Sequence, residues 1–520
     1  MRFALAALAL TFASPASAAD KPNIVFILAD DMGTGDVRCL NPNGKILTPH
    51  LDRLAAAGMT FTDAHSPSAV CSPTRYGVMT GRYAWRSKLK SGVLGGLSPR
   101  LIEPGRLTVA QLLKDNGYHT ACVGKWHLGM DWVVKPGKAV SPLSVEAREQ
   151  VFNVEYDKPI TNGPNAVGFD TFVGIAASLD MVPYAFIEND RVRANLTEDR
   201  DFVMLPGKPG TTRKGPAAPG FLDTDVLPAL TRKAVSYIDE RAKAGGPLFL
   251  YLPFASPHTP VAPDKEWAGK SGLTPYADFV MQTDAAIGQV LRALDKHNLT
   301  NDTLVIFTSD NGFAPAADLA AHLKLGHNPN HVFRGHKADI YEGGHRVPFL
   351  VRWPGKVKPG AKSDSIACLT DLLATCADIV GKKLPADAGE DSVSLLPALG
   401  VGKGPARETL VMHSVNGSFA VRDGKWKLCL CPGSGGWSAP RPGKDDATNL
   451  PPVQLFDLSA DIGETTNLHA THPDVVERLT KLAETYAADG RSTPGEPQKN
   501  TTPVDVWKAG RDAMVPLRKK

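Results

Sequence analysis

Short runs of unbroken apolar residues alternate along this chain with longer stretches whose apolar positions recur every three or four residues. The runs fall at residues 24–29, 120–124, 248–254, 303–308 and 349–353. Their length suits strands buried on both faces, whereas the longer pattern suits amphipathic helices. The helical pattern covers residues 48–57, 109–116, 226–243, 276–296, 369–380 and 473–488. Gly58, Gly117 and Gly381 stand where three of these helices need a left-handed stop. Strand and helix in alternation predict an α/β fold, with a mostly parallel central sheet flanked by helices.

The pattern changes twice. Residues 131–219 are rich in Pro, Gly and Asn and weakly periodic, which predicts inserted loops of the kind that shape a pocket on a sheet scaffold. Past residue 405, stretches at 409–415, 418–422, 426–431 and 454–458 read as antiparallel strands, with a turn at Asp423-Gly424 and one last helix. The expected organisation is a leader at 1–19, an N-terminal catalytic domain at 20–405 and a smaller C-terminal α+β subdomain at 406–520.

The leader rests on Arg2, the apolar stretch 3–12 and the small residues Ala16-Ser17-Ala18. This is the layout of a Sec-type signal peptide, too short to span a bilayer, and it predicts a periplasmic or secreted protein. Lys and Arg (58) nearly cancel Asp and Glu (54), so charge gives no basis for nucleic-acid binding. Seven cysteines are an odd number for an exported chain. Six remain if Cys71 is set aside, open to pairing or to burial as free thiols. No pair of C-x-x-C elements points to zinc.

Polar residues gather just after the predicted strands. Asp30 and Asp31 follow the first, Lys125 and His127 the second, His258 the third, and Asp310 and Asn311 the fourth. Ligands of open parallel sheets bind beyond the carboxyl ends of the strands, so these groups are expected along one rim. Asp30, Asp31, Asp310 and Asn311 are all oxygen donors, a set suited to a hard cation such as Ca²⁺ or Mg²⁺. Arg75, Lys125 and Lys337 are candidates for gripping an anion. Lys125 and His127, one residue apart, would point the same way in extended backbone.

Cys71-Ser72-Pro73-Thr74-Arg75 precedes a further apolar stretch, placing Cys71 near the start of a helix, where free amides and the helix dipole favour anions. Such a setting would also activate a plain thiolate, and the residues alone leave both readings open.

The string C-x-P-x-R followed by Thr80-Gly81-Arg82 resembles the signature of the type I sulfatases. So do residues 23–31 with Gly33, Gly124-Lys125-Trp126-His127-Leu128-Gly129, Pro257-His258, Ser309-Asp310-Asn311-Gly312 and residues 337–348, in the family's order. The resemblance implies an alkaline-phosphatase-like core and sulfate-ester hydrolysis. It further implies conversion of Cys71 to formylglycine by a separate maturation enzyme before folding. One Ca²⁺ would be held by Asp30, Asp31, Asp310, Asn311 and the modified residue 71. The hydrated aldehyde would attack sulfur and form a covalent sulfated intermediate. Arg75 would stabilise the modified residue, Lys125 and Lys337 would hold sulfate oxygens, His258 would protonate the leaving alcohol, and His127 would act as base for sulfate release.

Segments 124–132, 168–170, 184–190 and 334–346 look most like bacterial N-acetylgalactosamine-6-sulfatase-like and arylsulfatase A-like members. This implies a sulfated mono-, oligo- or polysaccharide as substrate, of galactose or N-acetylgalactosamine type. Asp180, His336, His345 and Arg346 are candidates for contacting sugar hydroxyls, and Trp126 and Trp132 either stack on a sugar or pack in the core. Two rivals stand beside this reading: a phosphonate monoester or phosphodiester hydrolase of the same superfamily, and an inactive sulfated-glycan binder with unmodified Cys71.

Overall fold

A computed structural model describes residues 21–444 and 449–508; the predicted leader lies outside them. Among these residues, the apolar runs form the centre of a ten-stranded sheet. Its strands in chain order are β1 (Asn23–Ala29), β2 (Met59–Phe61), β3 (His119–Lys125), β4 (Thr171–Ile175) and β5 (Ile187–Glu188). They continue with β6 (Arg191–Val192), β7 (Leu248–Pro253), β8 (Thr303–Ser309), β9 (Phe349–Arg352) and β10 (Ala361–Ser363). The spatial order is β10-β2-β9-β8-β1-β7-β3-β4-β5-β6.

The middle five, β8-β1-β7-β3-β4, are parallel, with Ala29 level with Ser309 and Leu28 level with Pro253. Every residue of β1, β7 and β8 is buried. That is why these strands carry nearly unbroken apolar runs and do not alternate. On one side β9 runs antiparallel to both β8 and β2, and β10 pairs with β2 in parallel.

Helices α1 (Pro49–Ala56), α2 (Cys71–Thr80), α3 (Val109–Asp115), α4 (Val226–Ala244), α5 (Pro275–Lys296) and α6 (Leu372–Ile379) belong to this part of the chain. The hydroxyls of Thr108 and Thr274 cap α3 and α5 by accepting from the backbone N–H three residues on. On α5, Tyr276, Val280, Ile287, Leu291 and Leu294 form the buried stripe.

Two expectations need correction. The stretch 131–219 is not all loop: Thr171–Ile175 is a parallel strand paired with β3. Five residues interrupted by a glycine gave too weak a pattern. Gly174 is there for clearance, since a Cβ would lie 1.8 Å from the Gly124 carbonyl oxygen. Likewise Gly117 and Gly381 adopt positive φ as expected, but Gly58 does not. A Cβ on Gly58 would sit 2.1 Å from the Val351 oxygen, so close approach to β9 is what requires glycine there.

After residue 405 come β11 (Thr409–His413), β12 (Phe419–Asp423), β13 (Trp426–Cys429) and β14 (Gln454–Asp457), an antiparallel sheet in that order. Helix α7 (Pro473–Ala488) sets Val475, Leu479 and Ala483 against Val421, Leu428 and Leu455, and Tyr83 and Trp85 complete that core. Backbone bonds carry the sheet's influence toward the main one. Ala69 N donates to His413 O (3.0 Å), Val415 N to Ala338 O (2.9 Å) and Ile340 N to Ser434 O (2.7 Å).

Six of the seven cysteines are buried, and Cys39 is half-buried. Among the described residues no helix is long and apolar enough to cross a membrane.

Candidate active site

The carboxyl ends of the parallel strands bring the polar sets together. Asp30 and Asp31 leave β1, Asp310 and Asn311 leave β8, Lys125 ends β3, and the segment after β7 leads to His258. The strand ladder continues one residue past the strands: Asp30 N donates to Ser256 O (3.0 Å) and Asp310 N to Ala29 O (3.1 Å). The backbone therefore fixes where both carboxylates start. All of these groups are buried.

Buried charges need partners, and here they have them. Lys125 Nζ lies 2.6 Å from Asp30 Oδ2, and Lys337 Nζ lies 2.7 Å from Asp31 Oδ1. Arg75, from the second turn of α2, places Nη2 2.8 Å from Asp310 Oδ2 and 3.5 Å from Asp30 Oδ2, while its Nη1 donates to Lys125 O at 2.9 Å. Burial pushes the Asp30 carboxyl up, yet Lys125, His258, Arg75 and Lys337 together hold it well below the usual carboxylate range. Asp310 is raised by burial and by repulsion from Asp30, with Arg75 and Lys125 opposing.

Asn311 donates Nδ2 to Asp31 Oδ1 at 2.7 Å, while its own Oδ1 is buried with no partner. An orphaned amide oxygen beside buried carboxylates has the chemistry of a hard-cation site. Ligating atoms of Asp30, Asp31, Cys71 and His258 all lie within 4.8 Å of one another.

Cys71 is the first residue of α2, with Val70 as cap. Its Sγ lies 3.7 Å from Asp30 Oδ1. Burial drives the thiol far above its ordinary range despite Lys125 and Lys337. An activated thiolate, left open by the sequence, is therefore disfavoured by this environment.

The expected extended backbone from Lys125 to His127 is not found: His127 turns left-handed at φ 57. Its Nε2 faces Leu94 O at 2.8 Å and its Nδ1 is buried without a partner. Burial, Lys125 and Arg75 keep the ring neutral, well below the usual imidazole range. His258 donates from Nδ1 to Thr259 O and holds Nε2 3.5 Å from Asp31 Oδ2.

The remaining candidates are placed differently. His345 bonds His65 through Nδ1 (3.0 Å), and its Nε2 meets Lys427 Nζ (3.0 Å) and Ile340 O (3.1 Å). Arg346 spends its nitrogens on Thr62 O, Glu342 and Asp63. Neither side chain has a nitrogen free for a ligand. His336 Nδ1 lies 3.0 Å from Lys337 O and 3.4 Å from Asp339 Oδ2. Asp180 pairs with Arg213 at 2.7 Å and keeps Oδ1 without a partner. Trp126 and Trp132 are buried, their indole N–H groups donating to Gly129 O and Gly96 O. They are core residues.

Sequence reasoning missed the support beneath the Lys337 loop, where Lys427 bridges Glu342 (3.0 Å) and Glu464 (2.7 Å), all buried. A lysine inside the apolar strand Trp426–Cys429 was the available signal.

Residues 22–382 match the profile of the sulfatase family. The chain belongs to this family. The sulfatase is 35% identical to N-acetylgalactosamine-6-O-sulfatase of Bacteroides thetaiotaomicron, over 89% of this chain and 93% of that one. It is 34% identical to arylsulfatase A of Bos taurus, over 89% and 87%. A solved structure from a study of the metabolism of multiple glycosaminoglycans by B. thetaiotaomicron superposes with a TM-score of 0.75 at 34% identity, covering 90% of this chain and 99% of that chain. The phosphonate monoester hydrolase of Agrobacterium radiobacter, at TM-score 0.54 and 17% identity over 89% and 95%, shares the fold. The sulfatase is a sulfuric ester hydrolase with an alkaline-phosphatase-like core.

Proposed function

We propose that this sulfatase removes sulfate from a carbohydrate of galactose or N-acetylgalactosamine type esterified at O6, with residue 71 as formylglycine and one Ca²⁺ ion. The observation that carries the sugar assignment is the 35% identity, over most of both chains, to an N-acetylgalactosamine-6-O-sulfatase. The donor set supports the ion: Asp30, Asp31, Asp310 and Asn311, together with residue 71, would hold it.

An aldehyde at position 71, hydrated, supplies one hydroxyl for attack on sulfur and a second whose loss of a proton lets sulfate depart. The chain's own residues do the rest. Lys125 and Lys337 hold sulfate oxygens and offset the charge that develops on them. Arg75 orients residue 71 and Asp310 together. His258 Nε2 gives a proton to the departing alcohol oxygen, with Lys337 beside it. His127 Nδ1 takes the proton of the second hydroxyl. Asp180 and His336 contact sugar hydroxyls. In this reading residues 20–405 form the catalytic domain and 406–520 its smaller companion, a maturation enzyme modifies Cys71, and the leader directs export to the periplasm or beyond.

Sulfate release from N-acetylgalactosamine 6-sulfate, its 4-sulfate isomer and an aryl phosphate ester tests the proposal. The 6-sulfate should be the best substrate. Preference for the phosphate ester would overturn the reaction class, and preference for the 4-sulfate would overturn the position. Intact-protein mass spectrometry should show residue 71 lighter than cysteine.

A further inference from the structure

The residue that follows Cys71 is linked to the base through a single intervening residue, Leu94. Ser72 is wholly buried, and its Oγ accepts from Leu94 N–H at 3.1 Å. The carbonyl of the same Leu94 faces His127 Nε2 at 2.8 Å. A carbonyl oxygen can only accept, so Nε2 must carry the ring proton and Nδ1 the lone pair in the neutral ring. Nδ1 is the buried nitrogen with no protein partner. The tautomer needed for a base at Nδ1 is thus set from Leu94.

Other anchors hold the loop that follows. Gly95 N donates to Ser98 Oγ at 2.9 Å, Leu97 N to Glu146 Oε1 at 2.7 Å, and Trp132 Nε1 to Gly96 O at 3.1 Å. Within that clamp, Ser72 Oγ is the side-chain acceptor for the N–H of Leu94 itself. His127 also carries the cost of a left-handed backbone, which persists only where surrounding contacts enforce it.

We propose that Ser72 is a positioning residue for the second half of the reaction. Through Leu94 it holds His127 in the Nε2–H tautomer, with Nδ1 directed at the proton whose removal releases sulfate. This rests on the two-step reading above, and it assigns a reaction-specific part to a serine next to the modified residue. In that step the proton passes to His127 Nδ1, the bond between the residue-71 carbon and the sulfate oxygen breaks, sulfate leaves with the electron pair, and the carbonyl re-forms. Sulfur transfer, which precedes it, does not use His127.

Ser72→Ala should therefore slow release without slowing transfer. Its kcat should fall roughly tenfold or more, a fraction of a full general-base contribution. KM should fall in parallel and kcat/KM should stay within about twofold, because that ratio reports steps up to the first irreversible one. Mass spectrometry during turnover should find one sulfuryl group retained on Ser72→Ala, as on His127→Ala. Ser72→Thr, which keeps the hydroxyl, should restore kcat. In ¹⁵N-histidine spectra of the resting enzyme, His127 should show the Nε2–H signature in wild type and a tautomer mixture in Ser72→Ala, a readout independent of turnover.

Equal losses in kcat and kcat/KM with no retained sulfuryl group, while His127→Ala does retain one, would overturn the proposal and leave the two-step reading standing. Absence of retained sulfuryl in both variants would remove His127 as the release base, and the proposal with it. An unchanged His127 tautomer in Ser72→Ala would also overturn it, even if that variant proves less stable.

Discussion

Arg75 reaches Asp310 with two nitrogens at once, Nε at 3.1 Å and Nη2 at 2.8 Å from the same carboxylate oxygen. Both side chains are buried, so the pair crosses from α2 to the end of β8 in a region without solvent to replace either partner. Removing Arg75 takes away the nearest cation of a buried carboxylate and leaves Lys125 to oppose its burial. Arg75→Ala should lower stability by about 3–5 kcal/mol. Urea unfolding measures this, and an unmoved midpoint would mean that other groups carry the Asp310 charge.

Replacing Cys71 with Ala should abolish sulfate release while leaving the unfolding midpoint close to wild type. Residual turnover at a substantial fraction of the wild-type rate would exclude a covalent role for this position.

Asp310→Ala should lose the bound cation, read by elemental analysis of the dialysed protein, and activity should fall with it. Metal content equal to wild type would take Asp310 out of the ion's coordination. A chelator applied to wild type should reproduce the loss, and added Ca²⁺ should reverse it.

Gly312 follows the Asp310-Asn311 pair, and a Cβ there would lie 1.8 Å from the Gly343 oxygen. Gly312→Ala must therefore push the β8 end away from the loop that carries Lys337. Overpacking of this kind costs on the order of 1–3 kcal/mol, and a displacement of about 1 Å in a catalytic group can cost on the order of a hundredfold in rate. Gly463→Ala is the control, since its nearest contact would be 3.6 Å away. Similar kcat/KM for the two variants would refute the argument.

His413, on β11, is buried with neither ring nitrogen partnered. Burial, with Lys508 and Lys90 adding to it, lowers its pKa from 6.5 to about 3. The folded state then holds this ring neutral where the unfolded chain protonates it. Its contribution to stability is complete above about pH 6.5 and falls as pH drops toward 3, by at most about 1.4 kcal/mol per pH unit. His413→Leu should flatten that part of the profile, so that wild type and variant differ more at pH 5 than at pH 7. A constant difference between them would rule out His413 as a source of acid sensitivity.

The strands of the parallel centre were legible because burial on both faces leaves an unbroken apolar signature. The rim followed from them, since Lys125 ends its strand and Asp30, His258 and Asp310 stand beyond the ends of theirs. Thr171–Ile175 was not legible, because five residues interrupted by Gly174 carry little periodic signal. Gly58 was misread because sequence cannot tell a glycine needed for positive φ from one needed for clearance. The left-handed turn at His127 and its bond to Leu94 were also out of reach, since a backbone carbonyl leaves no mark in side-chain chemistry. His345 and Arg346 stood in a motif-bearing loop, but their partners His65, Thr62, Asp63 and Lys427 come from distant parts of the chain.

The bond from Ala69 N to His413 O has a consequence for the order of events during synthesis. It secures the segment leading into Cys71 with a residue about 340 positions later, which a ribosome reaches tens of seconds afterwards. Ser434, which accepts from Ile340 beside the Lys337 loop, arrives later still. Until then the nascent chain lacks both of these bonds on the segments flanking Cys71 and Lys337. Any enzyme that must reach the Cys71 sulfur has that interval in which to act, and the timing is set by the C-terminal sheet, far from the reacting atoms in sequence.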